Sequence, residues 1–142
     1  MHLERVDTRR LPRATVLAGA TAAIANLIVY WLGVTLFAVP FLIPMPGLPD
    51  FALMHLPISN IVILSTVPAL GAAVVLWLLG RFTQRPFRLF GTIGLVVLIL
   101  SFGSPLALAT DQATKLWLEF MHVVAAAAIL TVLITGTRVT DS

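Results

Sequence analysis

Four long apolar runs alternate with short segments that carry most of the charge. A run of about 20 apolar residues is long enough to cross a hydrocarbon core of about 30 Å as a helix. The pattern predicts helices over residues 14–39, 57–80, 87–108 and 114–136. A basic tail, residues 1–13, precedes the first, and a short polar tail, 137–142, follows the fourth. Pro12 suits a helix start, where its missing N–H costs nothing. The first helix is rich in small residues early on (Ala18, Gly19, Ala22, Ala23). Such residues let helix backbones approach closely inside a bilayer. Pro68 predicts a kink in the second helix.

The segment 40–57 breaks the pattern. It contains Pro40, Pro44, Pro46, Pro49 and Pro57, yet Phe41, Leu42, Ile43, Phe51, Leu53 and Met54 keep it apolar. Proline neither continues a helix nor donates a backbone hydrogen bond. Irregular backbone is not tolerated bare against lipid. The segment is therefore expected at the outer interface or folded back over the helices as a cap.

Charge supplies the orientation. Of nine Lys and Arg residues, eight fall in three clusters: Arg5, Arg9, Arg10 and Arg13; Arg81, Arg85 and Arg88; and Arg138. Basic residues stay on the cytoplasmic side of membrane segments. The expected fold is an all-α, membrane-embedded antiparallel four-helix bundle in the cytoplasmic (inner) membrane. Both termini are cytoplasmic (N-in/C-in), and the Pro-rich loop lies outside. Only Lys115 departs from the pattern.

Composition agrees. The chain is 59% hydrophobic and 11% charged, with a mean hydropathy of +1.03. About a quarter of residues are charged in soluble domains. The sequence pI near 10.7 follows from the positive-inside distribution, with anionic lipid headgroups and no nucleic acid as the counter-charge. The first apolar run exceeds the roughly 7–15 residues of a signal-peptide core and reads as a retained helix. The absence of cysteine excludes disulfides, thiolate metal sites and thiol redox chemistry.

Polar residues inside a bilayer are expensive and are functional candidates by default. Here they are Asn26, Asn60, Ser65, Thr66, Glu119 and His122, with His55 and Asp50 at the outer rim. Asn26, Asn60, Glu119 and His122 are candidates for a ligand site or polar cavity. Glu119 and His122 share a helix face at i, i+3. With His55, and with Asp50 or Asp111, they offer the nitrogen and oxygen ligands that suit a first-row divalent ion. His55 and His122 are alternatively an axial pair for haem. The structural reading pairs Glu119 with Lys115 and gives His122 a hydrogen bond to Asn26, Asn60 or a backbone carbonyl. No cofactor is required by the sequence; metal and haem are the open alternatives. No phosphate loop, nucleophile elbow or metalloprotease motif is present.

A faint internal echo links the two halves: Arg10-Leu-Pro-Arg13 with Arg85-Pro-Phe-Arg88, and Met54-His55 with Met121-His122. The Ala-rich first helix, the stretch Leu56-Pro-Ile-Ser-Asn-Ile, and Phe120-Met-His122 leading into the alanines of the fourth helix resemble a small uncharacterised bacterial four-helix membrane family. It is one of the groups known as domains of unknown function. The resemblance spans residues 14–136 and implies no catalytic residues. The expected role is a non-catalytic accessory or interaction subunit in a larger membrane complex or homo-oligomer, or a small hydrophobic-ligand binder. A metal- or haem-binding protein and an oligomeric small transporter are the alternatives.

Overall fold

The computed structural model describes residues 4–44 and 52–139. The elements are α1 (Leu11–Phe37), β1 (Leu42–Pro44), β2 (Leu53–His55), α2 (Ile58–Phe82), α3 (Pro86–Ser101), α4 (Gly103–Ala107) and α5 (Gln112–Thr137). Four helical stretches are long and apolar enough to cross a membrane: α1, α2, α5, and the span Pro86–Ala107 that includes α3 and α4. The expected third helix is broken at Phe102. Pro105 has no N–H to give the Ser101 carbonyl, and Gly103 weakens the helix beside it. The Phe102 amide turns back to Ile99 instead, at 3.4 Å.

Small residues set the packing. Ala14, Ala18, Gly19, Ala22 and Ala23 of α1 are all buried. A Cβ placed on Gly19 would meet Thr66 of α2 at 3.4 Å, and one on Gly136 would meet Ala14 at 3.1 Å. Backbones this close gain dispersion contacts that lipid cannot replace. The α1 helix thereby packs extensively against both α5 and α2, whereas α3 touches its neighbours more sparsely. Pro86, Phe87 and Phe90 anchor one end of α3 and Pro105 of α4 the other; no residue between Phe90 and Pro105 is buried.

The basic tail is not a free polar extension. Val6 bridges to Arg138, and the Asp7 amide donates to the Thr137 carbonyl at 2.8 Å. Val6 fills the space beside Gly80 of α2. Glu4 accepts the Phe87 amide at 3.0 Å, serving as the cap that α3 lacks locally. Arg138 lies over the Phe87 ring, 5.3 Å from its centroid. The tail thus ties together the ends of α2, α3 and α5.

At the opposite end the described parts of the proline-rich segment pack against the helices, with Phe41 and Leu56 buried beside Val29, Ile61 and Met121. Leu42–Pro44 pairs antiparallel with Leu53–His55. Ala38 (φ 50°) and Phe41 (φ 45°) take left-handed backbone conformations that turn the chain out of α1. The Val39 amide closes the helix on the Gly33 carbonyl at 3.0 Å. Phe41 is fully buried, against Tyr30 (ring centroids 4.7 Å) and Trp117 (6.5 Å). The Thr110 hydroxyl donates to the Leu42 carbonyl and ties the ribbon to the start of α5. Asp111 caps that start: the Thr114 hydroxyl and amide hold its carboxyl below the ordinary value of 3.8. Pro46, Pro49 and Asp50 lie outside the described residues.

The cap requires glycine at position 33, where a Cβ would come within 2.8 Å of the Phe41 ring. Alanine at an exposed helical glycine is ordinarily favoured by about 1 kcal/mol. Gly71 has open space around it. Gly71→Ala should therefore hold or raise resistance to SDS-induced unfolding, whereas Gly33→Ala should lower it by about 1–3 kcal/mol through overpacking. Equal effects at the two positions would contradict this packing.

Candidate functional site

The sparsely packed middle of α3 leaves a cavity of about 460 Å³ between α2, α3, α4 and α5. Its walls are mainly apolar and include Leu98, Met121, Ala125 and Ile129. At its rim Leu64 and Val97 are exposed, by 67% and 58%. At its floor Asn26 and Ser65 are buried, 5% and 1% exposed. The cavity thus runs from an exposed apolar edge to a buried polar floor.

Asn26 Nδ2 donates to Ser65 Oγ at 3.0 Å, while Asn26 Oδ1 is buried without a partner. His122 also lines the cavity, and its Nδ1 lies 2.7 Å from the Leu118 carbonyl of its own helix. A carbonyl only accepts, so Nδ1 carries the hydrogen. That leaves Nε2 as the uncommitted ring nitrogen. Ser101, on the third wall, donates its hydroxyl to the Leu98 carbonyl at 2.7 Å. Pro68, also lining, has no N–H for the Leu64 carbonyl.

The sequence candidates separate. Asn26 and His122 line the cavity; Asn60 and Glu119 do not. The Asn60 backbone N–H donates to the Pro57 carbonyl at the start of α2. His55 sits in the cap, exposed, with Nδ1 2.9 Å from the Pro40 carbonyl. The expected trio of His55, His122 and Glu119 does not assemble: among the described residues no three His, Asp or Glu side chains are gathered to hold a metal ion. Backbone carbonyls in different elements claim the two imidazoles. The Asn26 partner is Ser65, and His122 takes the carbonyl option among its expected partners. Ser65, one of the polar residues of the second helix, meets Asn26 because α1 packs beside α2, a contact no spacing within α2 encodes.

Glu119 departs from its expected pairing. Both carboxylate oxygens are enclosed without a hydrogen-bond partner, and no ion pair to Lys115 forms among the described residues. An enclosed carboxylate without a partner is a net cost. Glu119→Met should therefore raise unfolding free energy by about 1–2 kcal/mol in detergent. A lower stability in the variant would mean that the carboxylate has a partner the isolated chain does not display.

No curated protein and no solved structure matches the chain. The sequence pattern of one family, DUF6069, matches residues 6–139. That stretch includes the Val6 and Asp7 contacts of the tail, the cap and every residue of the cavity. The chain therefore belongs to DUF6069, a family of unknown function.

Proposed function

We propose that this is a non-catalytic, multi-pass protein of the cytoplasmic membrane that binds a small hydrophobic molecule between α2, α3 and α5. The proposed arrangement is an antiparallel bundle with both termini cytoplasmic. The arginine clusters adjoin the α1 start, the α2–α3 turn and the α5 end, which supports that threading under the positive-inside rule. Large apolar side chains such as Val16, Ile24, Leu70 and Leu95 are exposed, as a lipid solvent requires.

The observation that carries the binding reading is the cavity. Small-molecule sites span about 300–1,000 Å³, are mostly apolar, and hold a few placed polar groups. This cavity, at about 460 Å³ with Asn26, Ser65 and His122, has that character. Haem or metal binding has less support, because His55 is engaged in the cap and does not line the cavity.

Native mass spectrometry of the protein extracted in mild detergent tests the reading. The expected spectrum carries a retained apolar molecule. Ala126→Phe, which fills the cavity from α5, should lose that mass while keeping wild-type helicity. An empty wild-type protein, or full retention in Ala126→Phe, would count against the cavity as a binding site.

A further inference from the structure

The polar groups of the cavity specify the ligand's head. Three donors are committed within the wall: one N–H of Asn26 Nδ2 to Ser65, His122 Nδ1 to Leu118, and the Ser101 hydroxyl to Leu98; the Ser104 hydroxyl lies at the exposed side of the cavity. The acceptors left without a protein donor are Asn26 Oδ1, buried and unpartnered, and His122 Nε2. Ser65, which accepts from Asn26, keeps its own hydroxyl hydrogen.

These groups also lie at similar depth. Gly33 of α1 and Trp117 of α5 are in contact beneath the cap, 3.3 Å separating a Cβ at Gly33 from the indole. Asn26 lies seven residues from Gly33, and His122 five from Trp117. At 1.5 Å per residue those distances are about 10 and 8 Å along the two helices.

We infer that the cavity selects an uncharged, hydroxyl-headed apolar molecule, whose O–H donates to Asn26 Oδ1 or His122 Nε2 while its chain lies along α3 toward Leu64 and Val97. The inference rests on the binding reading above and adds the chemistry of the head. A hydroxyl supplies the missing donor, and its oxygen accepts from Ser65. An ether or ester lacks the donor and leaves Asn26 Oδ1 unpaired. An ammonium brings a charge with no carboxylate among the cavity-lining residues to balance it. A site built around a hydrogen bond discriminates strongly against an analogue lacking the partner.

The test uses a pair of photoreactive probes in nanodiscs holding the full chain: a medium-chain primary alkanol with a mid-chain diazirine, and its methyl ether. Cross-links are located by peptide mass spectrometry, and affinities follow from competition by the unlabelled compounds. The alcohol should label cavity residues such as Leu98 and Met121 and bind about tenfold more tightly than the ether. Asn26→Leu should shrink that preference to about twofold or less while the ether still binds, which separates loss of the head contact from loss of folding. Equal binding of alcohol and ether by the wild type would overturn the hydroxyl inference and leave the binding reading standing. Absence of cavity labelling by either probe would overturn both.

Discussion

Close approach of α1 to its two neighbours is the constraint on which the rest depends. Lipid tails are as apolar as leucine, so burying a leucine between helices gains little over leaving it in the bilayer. Backbone proximity is what remains, and only small side chains permit it. The buried Ala14, Ala18, Gly19 and Ala22 of α1, with Gly136 of α5, form that contact. It holds α1 tightly against both α2 and α5. Bulky residues follow elsewhere: Phe41 closes one end beneath the ribbon, and Val6 closes the other beside Gly80.

The third apolar stretch makes no comparable contact with α1, for a corresponding reason. Gly94 of α3 approaches α5 closely at Leu130, but no small-residue stripe comparable to that of α1 continues toward Phe102. The helix is pinned at Phe87 and Phe90, broken before Pro105, and otherwise sparsely packed. The cavity is what that unequal packing leaves. Its polar floor lies where the Asn26–Ser65 bond joins α1 to α2, so one interhelical hydrogen bond both clamps that pair and leaves an acceptor facing no protein donor.

Much of this was legible in the sequence because hydropathy and proline act locally. The four apolar spans follow from length and composition, and their ends agree with the observed helices to within a few residues. For the 40–57 segment, the incompatibility of prolines with helix and of bare backbone with lipid left two places, the outer interface or a cap over the helices; its described parts form the Leu42–Pro44 and Leu53–His55 ribbon. The break at Phe102 was obscured because Pro105 lies close enough to the expected helix end to read as its terminus. The strap formed by Glu4, Val6 and Asp7 was hidden for another reason: its partners lie near residues 80, 87 and 137. The candidate site was half legible. Residue type singled out Asn26 and His122, but spacing along one helix cannot tell which polar groups from other helices will meet. Glu119 and His122 share a face, yet only His122 lines the cavity; His55, far off in sequence, is held at the cap by the Pro40 carbonyl.

The most direct test of the cavity as a ligand site is an experimental density map of the protein in nanodiscs of its native lipids, with a bound antibody fragment to give it size. The account predicts a separated middle of α3 and elongated density between α2, α3 and α5, its inner end within hydrogen-bonding distance of Asn26 and His122. A map with α3 closed against α2 and α5, and no space between them, would contradict it.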